Sequence, residues 1–239
     1  MSKNQSKNES SLESILLEEL YDNGVYRLTL NDSNRRNALS EEMMASLSES
    51  INKASTNNAV RVIVIAANGP AFCAGHDLKQ MSAGRNSADN GHNYFTEVFS
   101  KCSSLMRSIT NNPKPIIAEV GGVAAAAGCQ LVACCDLAIA GESARFVTPG
   151  VNIGLFCSTP MVALSRNISN KAAMEMLLTG EMINSEKAER IGLINRVVKD
   201  ANLTDGAMAM AKVIASKSSM TLKTGKQAFY KQKEMSLED

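Results

Sequence analysis

The fold prediction for this chain is decided by Gly121-Gly-Val-Ala-Ala-Ala-Ala-Gly-Cys-Gln-Leu131. This stretch follows the apolar run Ile116–Val120 and leads into a segment of helical character that continues to about Cys134. A second stretch of the same kind, Gly69-Pro-Ala-Phe-Cys-Ala-Gly-His-Asp-Leu78, follows the β-branched apolar run Val60–Ala67. Both place Gly and Ala at the end of a predicted buried strand, so both predict a tight turn that leads toward a helix.

The chemistry available at such a turn is that of the backbone. The first N–H groups of a helix have no partner within the helix, and small side chains let a ligand approach them closely. The helix dipole also favours negative charge at this end. Two such N–H groups that converge on one point would form an oxyanion hole. The alternative for either stretch alone is that Ala and Gly simply allow tight packing of helix on strand.

The rest of the chain predicts strands that alternate with helices, and therefore an α/β domain with right-handed crossovers. The pattern predicts a hairpin around Asp22-Asn23-Gly24 and a helix capped by Ser40. The predicted strands are 15–20, 25–30, 60–67, 116–120, 136–140 and 193–198. The predicted helices begin at 41, at about 95, at about 124, and near 172, 185, 203 and 220. Residues 71–90 predict a loop.

Composition excludes several classes of protein. The chain has 239 residues, of which 44% are hydrophobic, so one α/β domain with a substantial core is expected. The net charge of +1 gives no indication of a nucleic-acid or membrane partner. The six cysteines form no C-x-x-C pair and the two histidines have no metal-ligand spacing, so we expect no metal site. Several cysteines lie in apolar runs, and a reducing compartment with free thiols is expected.

The ends of the chain suggest a division into three parts. Residues 1–13 are rich in Ser, Asn and Lys and predict a disordered lead-in. They resemble neither a secretory signal nor a mitochondrial presequence, so a cytoplasmic location is expected, with the mitochondrial matrix as the alternative. Residues 14–200 form the predicted core and 201–239 a helical C-terminal region. No run approaches the ~20 apolar residues of a membrane span.

Familiar catalytic templates are absent from the sequence. There is no G-x-S-x-G elbow, no phosphate-binding P-loop, no G-x-G-x-x-G after a strand and no H-E-x-x-H. The chemistry is therefore expected at the two Gly/Ala turns.

Together the two turns resemble the signature stretches of the crotonase (enoyl-CoA hydratase/isomerase) superfamily. Further segments match in the same order along the chain, from about Glu18 to Tyr230: Asn37–Leu39, Cys135–Ala140, Ala144–Pro149, Ala172–Gly180 and Ala188–Val198. Two patterns, Ala127-Gly-Cys-Gln-Leu-Val-Ala133 and Thr148-Pro-Gly-Val-Asn152, are similar to those of one subgroup within this family.

The resemblance implies a spiral of ββα units with a helical C-terminal region, assembled as trimers that often pair into hexamers. It implies an acyl-CoA or enoyl-CoA thioester as the partner, with coenzyme A as part of the substrate and no separate cofactor. The oxyanion donors would be the N–H groups of Ala74 and Ala127. Further residues would lie along the CoA moiety: Asn37, Ala38, Gly75, His76, Asp77, Lys79 and Gly128. Asp77 is expected chiefly to order its loop. Family members usually continue beyond the position of Asp239, so a truncated C-terminal region is expected.

The chain departs from the family where an active hydratase carries two glutamates. The first aligns with Gln130 and the second with Gly150. An amide is not a general base and glycine has no side chain. His76 is the titratable group in the first turn, and it could be either a catalytic or a structural residue. If the alignment that places Gly150 at the second glutamate position is shifted, a nearby acid such as Glu142 would take that role.

Three hypotheses about function follow. The first is a nominal enoyl-CoA hydratase/isomerase of fatty-acid metabolism, with weak hydratase activity. The second is a CoA-thioester-binding protein with little or no turnover. The third is a decarboxylase or thioesterase that uses His76, or polar groups such as Thr148 and Ser158.

Overall fold

Ten strands in two sheets organise the computed structural model, which describes residues 14–239; the predicted lead-in of 1–13 lies outside the described residues. The strands are β1 (Leu16–Leu20), β2 (Val25–Leu30), β3 (Val62–Ala67), β4 (Ala71–Cys73), β5 (Ile116–Val120), β6 (Val123–Ala125), β7 (Leu137–Gly141), β8 (Arg145–Val147), β9 (Ile183–Asn184) and β10 (Arg196–Val198). The larger sheet has the order β1-β2-β3-β5-β7-β10, and the smaller has the order β4-β6-β8-β9.

Nine helices of the described part of the chain surround the sheets. They are α1 (Glu41–Thr56), α2 (Leu78–Arg85), α3 (His92–Thr110), α4 (Ala127–Cys134), α5 (Ser158–Asn167), α6 (Asn170–Thr179), α7 (Ser185–Arg190), α8 (Leu203–Ala215) and α9 (Ser219–Gln232). None of the helices in residues 14–239 has the length and apolar character to cross a membrane.

The chain repeats one unit as it winds through both sheets. In three successive repeats a strand of the larger sheet is followed by a short strand of the smaller sheet and then by a helix, as in β3-β4-α2, β5-β6-α4 and β7-β8-α5. Apart from the antiparallel β1–β2 and β8–β9 pairs, the described strand pairs are parallel. The predicted spiral of ββα units is confirmed.

Burial explains why these segments adopt their structures. The apolar face predicted for α1 is buried, with Met43, Leu47 and Ile51 fully inside, and the Ser40 side chain accepts a hydrogen bond from the Met43 N–H. Every residue of β5 is buried, as expected for a parallel strand covered on both faces. On the opposite face of the larger sheet, α8 packs Ala211 and Ala215 against β2, β3 and β5.

Two predictions about local structure are corrected, and two features were not predicted. The loop predicted for residues 71–90 contains β4 and α2, because Asp77 caps a helix within it. The strand predicted for 193–198 is only Arg196–Val198, and α5 was not predicted. The smaller sheet was also missed, since strands of two or three residues are too short to show an alternating pattern.

A largely buried polar cluster, in which the Lys226 and Asp136 side chains are 8% and 16% exposed, holds α9 against the core. Lys226 Nζ donates to Asp136 Oδ2 (2.7 Å) and to the carbonyls of Ile109 (3.1 Å) and Lys114 (3.0 Å). Tyr230 donates to the second carboxylate oxygen of Asp136 at 2.9 Å. Burial lowers the pKa of Lys226, while the Asp136 carboxylate opposes that shift. This cluster fixes where the last helix crosses the domain.

Candidate functional site

The fold brings the two Gly/Ala turns into contact. Gly75 has a φ of +91°, in the left-handed region that favours glycine. A Cβ added at Gly75 would lie 3.0 Å from the Ala125 carbonyl oxygen and 3.4 Å from the Ala127 nitrogen. The backbone of the first turn therefore contacts the start of α4 directly, with no room for a side chain between them.

The start of α4 presents free backbone donors. Ala126 precedes the helix with a φ of +49° and ψ of −115°, and it makes no capping hydrogen bond with its side chain. Within residues 14–239 nothing accepts a hydrogen bond from the Ala127 N–H, the first of the helix. Gly128 packs against β4 so closely that a Cβ would lie 2.1 Å from the Cys73 carbonyl oxygen. Ala127 thus keeps its predicted place as an available donor.

The donor predicted at Ala74 is corrected by the structure. The Ala74 N–H already donates to the Arg36 carbonyl at 3.1 Å, so it is not available to a ligand. The next peptide behaves differently. The Gly75 carbonyl accepts from the Leu39 N–H at 2.7 Å, and the peptide is trans, so the His76 N–H points away from Leu39. No described residue accepts a hydrogen bond from it.

Asn37, expected near CoA, forms hydrogen bonds with the backbone of the site, whereas the predicted role of Ala38 toward CoA stays a prediction. The Asn37 side chain is fully buried, accepts from the Asp32 N–H (2.8 Å), and donates to the carbonyls of Asn68 and Ala71, each at 2.8 Å. Its φ of +52° is of the kind that Asn tolerates better than most residues. Asn37 therefore holds the loop together, and Ala38 is 6% exposed beside it.

Asp77 orders the first turn, as predicted. Its Oδ1 accepts from the N–H groups of Lys79 (2.9 Å) and Gln80 (3.3 Å), which caps α2, and its Oδ2 lies 3.4 Å from Arg35 Nη1. The Lys79 side chain is exposed at the first turn of α2. Its predicted role toward CoA phosphates stays a prediction.

His76 carries an imidazole without hydrogen-bond partners. Both ring nitrogens are buried and neither bonds to a described residue; the ring packs edge-on against Phe99, with centroids 5.5 Å apart. Burial lowers the pKa of His76, and the Leu39 carbonyl opposes that shift without reaching hydrogen-bond geometry. The ring is therefore neutral near pH 7.

This lowered pKa predicts a dependence of stability on pH. Because the unfolded His76 binds a proton more readily, its contribution is fully present above about pH 6.5 and is lost as the pH falls from there toward the folded-state pKa. In urea unfolding over this range, His76→Asn is expected to flatten the dependence of the midpoint on pH. The exposed His92 provides the control, since His92→Asn should leave the slope unchanged. Equal slopes in wild type and His76→Asn would contradict the expectation.

Gln130 and Gly150, which the sequence predicts to replace two glutamates, differ in what surrounds them. Gln130 lies on the first turn of α4 with 6% of its surface exposed, and its Oε1 is buried without a hydrogen-bond partner. Gly150 has no free space beside it. A Cβ there would lie 2.7 Å from the Leu155 carbonyl oxygen and 2.8 Å from Cys157 Sγ, and the Gly150 N–H donates to that sulfur at 3.3 Å.

Cys157 was not among the predicted site residues. Burial raises the pKa of its thiol, with the Gly150 N–H opposing the shift, so the sulfur is a neutral packing atom near pH 7. A glycine at position 150, followed by a turn that brings Cys157 back beside it, is the pattern that could have indicated this contact.

Of the remaining candidates, Glu142 and Thr148 are not placed to act, and the role of Ser158 stays a prediction. Glu142 is exposed before β8, whereas Gly150 follows β8, so Glu142 does not replace the second glutamate. The Thr148 hydroxyl is buried and donates to the Met176 carbonyl at 2.9 Å. Ser158 is exposed at the start of α5. Among residues 14–239, no three His, Cys, Asp or Glu side chains cluster in a way that could hold a metal ion.

A ββα spiral with a helix N-terminus set against a glycine turn defines a protein of the crotonase class. The chain belongs to the enoyl-CoA hydratase/isomerase family, whose model matches residues 21–239. It is 48% identical over 209 residues to the rat enoyl-CoA hydratase domain-containing protein 3, mitochondrial, a match that covers 87% of this chain and 68% of the relative. The human protein of that name is 47% identical, with 87% and 67% covered.

Solved structures agree with this assignment. An enoyl-CoA hydratase from Mycobacterium smegmatis superposes with a TM-score of 0.90 at 47% identity, covering 95% of this chain and 86% of that one. The human enoyl-CoA hydratase domain-containing protein 3 superposes with a TM-score of 0.88 at 44% identity, covering 94% and 86%. The resemblance to this subgroup, predicted from the patterns at 127–133 and 148–152, is confirmed.

Proposed function

We propose that this chain binds an acyl-CoA thioester and holds its carbonyl oxygen between the N–H groups of His76 and Ala127. The observation that carries the proposal is the contact of Gly75 with the start of α4, where neither N–H group has an acceptor among residues 14–239. Preorganised donors of this kind stabilise negative charge that develops on a carbonyl oxygen. The dipole of α4 acts in the same direction. The names of the relatives support the class of substrate, since they describe enoyl-CoA hydratases.

The rest of the CoA would follow the first turn. Gly75, His76 and Asp77 form the side of the site along which a pantetheine arm would lie, with Gly128 at the base of the second turn. Lys79, exposed on α2, would meet the phosphates. Asn37 and Ala38 lie directly before Leu39, which pairs with His76 of this turn, so they would help to hold the turn in place. No other cofactor is required by this proposal.

The chemistry after binding is limited by the two glutamate positions. Gln130 can orient a water or a substrate hydroxyl through its amide, but it cannot remove a proton at neutral pH. Gly150 supplies no side chain, and Cys157 fills the space beside it. The function that follows is CoA-thioester binding with weak enoyl-CoA hydratase or isomerase activity.

The oxyanion proposal is tested by removing one donor. Ala127→Pro deletes the N–H at the first position of α4, but the preceding Ala126 (φ +49°, ψ −115°) is not extended, so the variant must be shown to fold before its turnover is interpreted. Losing one such donor costs about 3 kcal/mol of transition-state stabilisation, so turnover of an acyl-CoA should fall at least ~100-fold. Calorimetry should also show that the preference for acyl-CoA over free CoA decreases.

The control places proline at the same position of a distant helix. Ser219→Pro changes the first residue of α9, which follows an extended Ser218. It should leave turnover and binding unchanged. The proposal is wrong if wild type binds acyl-CoA and free CoA equally weakly and if Ala127→Pro, folded by circular dichroism, has wild-type turnover.

A decarboxylase or thioesterase that uses His76 is the second candidate. It is favoured by the neutral imidazole, whose two nitrogens are unpaired beside the proposed oxygen site. Incubation with methylmalonyl-CoA and with acetyl-CoA would distinguish it. Release of carbon dioxide or free thiol by wild type and not by His76→Asn would favour this candidate over hydration.

Assembly as a trimer is part of the proposal. The segment before α5 and the neighbouring α6 expose large apolar side chains, among them Ile153 (65%), Leu155 (56%) and Leu178 (58%). Exposed apolar surface of this extent is typical of an interface between subunits. Light scattering at micromolar concentration should therefore give a trimer, or a hexamer formed from two trimers. A monomer alone would contradict this.

Mitochondria are the location that the relatives favour over the expected cytoplasm. The rat and human relatives carry the word mitochondrial in their names. Fractionation of cells that express the natural gene product would test the location, and recovery in the cytosolic fraction alone would exclude it.

A further inference from the structure

A cavity of about 400 Å³ lies among four helices, and its lining on α4 begins at Gln130, three residues after Ala127 of the proposed oxygen site. Its wall on α4 consists of Gln130, Ala133 and Cys134, which share one helix face by their i, i+3, i+4 spacing. α3 and α5 contribute faces with the same spacing, and Tyr230 of α9 closes the fourth side. The volume is in the range of ligand pockets, about 300–1,000 Å³.

On α4 the cavity is lined from Gln130 to the last residue of the helix, Cys134. Ala127 is the first residue of α4, Gln130 is one turn further, and Cys134 is the last residue. At 1.5 Å per residue, the distance from Ala127 to Cys134 is roughly 10 Å along the axis. A chain whose thioester oxygen lies at Ala127 can therefore pass Gln130 and continue between α3 and α5. Only a chain of some length reaches the far end.

Positive charge gathers at that far end. Arg107 of α3, Arg166 of α5 and Lys233, just after α9, line the cavity with a single carboxylate, Glu234. Arg166 Nε lies 3.5 Å from the Glu234 carboxylate. Arg107 and Lys233 pair with no carboxylate in residues 14–239; Arg107 reaches only Ser104, and Lys233 Nζ donates to the Arg166 carbonyl. The position of Lys233 follows from the docking of α9 by Lys226 and Tyr230.

We infer that this cavity takes the acyl chain of a CoA thioester that ends in a carboxylate, a dicarboxylic acyl-CoA. The inference rests on the proposed function, because the thioester must lie at Ala127. Apolar groups such as Met106 and Val162 would bury the methylene groups, and Arg107 and Lys233 would meet the terminal carboxylate. An uncharged chain would contact the apolar walls but would supply no carboxylate to Arg107 and Lys233.

The experiment compares acyl-CoA pairs that match in length and differ in the terminal group. Calorimetry measures octanoyl-CoA against suberyl-CoA and butyryl-CoA against succinyl-CoA, with free CoA as the baseline. Suberyl-CoA should bind about three- to fivefold more tightly than octanoyl-CoA, the effect of an ion pair at a partly exposed site. The short pair should show no such preference, because succinyl-CoA does not reach the far end of α4.

Substitutions at the rim separate charge from packing. Arg107→Gln, at an exposed position, should remove the preference for suberyl-CoA, and Arg107→Glu should reverse it. Lys233→Gln is a second variant with the same expected direction. Arg190→Gln, an exposed arginine on α7, is the matched control and should keep the preference.

The outcomes distinguish this inference from the proposed function. Equal affinity for octanoyl-CoA and suberyl-CoA, both above that of free CoA, would overturn the inference and leave the oxygen site intact. A preference that survives Arg107→Gln combined with Lys233→Gln would overturn it as well. No gain of any acyl-CoA over free CoA would overturn the proposed function, and the inference with it.

Discussion

Hydration of crotonyl-CoA by this chain is expected to be slower than by an ordinary hydratase by about 10² to 10⁴ for each missing acid or base. A hydratase must deprotonate the attacking water and supply a proton to the α carbon. Gln130 and Gly150 are the positions that the family resemblance predicts for the two glutamates that do this in an active hydratase. His76 is neutral and its pKa is lowered, so it is a weaker base than a free imidazole. The loss of crotonyl-CoA absorbance measures the rate.

Gln130→Glu should raise that rate, because it restores one carboxylate in a site that already has its oxygen donors. Burial at 6% exposure would raise the pKa of the new carboxyl, which suits a group that must exchange protons near neutral pH. Gln232→Glu on α9 makes the same chemical change at an exposed position and should have no effect. Wild-type turnover close to that of an ordinary hydratase would show that another group performs the proton transfer.

The second glutamate is not restored by substitution at Gly150 alone. A Cβ at this position would be too close to both the Leu155 carbonyl and Cys157 Sγ, and overpacking of this kind costs about 1–3 kcal/mol. Gln130→Glu/Gly150→Glu should therefore be less stable than Gln130→Glu and gain little further rate. Adding Cys157→Ala removes the sulfur and should recover part of the stability. Full hydratase activity in the double variant would contradict this account of the space beside Gly150.

Lys226→Met is expected to lower the free energy of unfolding by about 3–5 kcal/mol. The substitution removes three hydrogen bonds of the Lys226 ammonium and leaves the Asp136 carboxylate without its cation. Asp136 keeps the Ile116 N–H at 2.7 Å and the Tyr230 hydroxyl at 2.9 Å, so the lower part of that range is expected. Urea unfolding measures the change.

Two further variants calibrate the result. Tyr230→Phe removes one hydrogen bond from the same carboxylate and should cost about 1–1.5 kcal/mol. Lys231→Met changes an exposed lysine of α9 and should cost little. A loss below ~1 kcal/mol in Lys226→Met would show that the last helix is not held to the core by this cluster.

The larger sheet could be predicted from the sequence because its strands are long and apolar. Val25–Leu30 and Ile116–Val120 were predicted with the bounds that the structure has, and the cap and buried face of α1 were predicted residue by residue. In these segments the local pattern and the burial agree, so no distant contact is needed to assign them.

The site could be predicted only in part, because its details depend on distant contacts. Ala127 is a donor since it begins a helix, which the Gly/Ala pattern indicates. Whether the free N–H belongs to Ala74 or to His76 depends instead on hydrogen bonds with Arg36 and Leu39. These two residues lie between β2 and α1, far from the loop in sequence. The contact of Cys157 with Gly150 likewise arises from a turn with no pattern of its own.

The short strands β4 and β6 carry the two turns, and an irregularity in their pairing sets how the turns meet. Ala71 lies opposite Val123 and Cys73 opposite Ala124, so two residues of β4 correspond to one of β6. The donors that follow these strands belong to the main chain, and substitution of a side chain other than to proline leaves them in place. Substitution of side chains can thus change the chemistry of the site while the proposed binding of a thioester oxygen by the backbone would persist. A single-residue insertion or deletion in either strand would shift one turn past the other, so this protein should tolerate replacements here far better than changes in length.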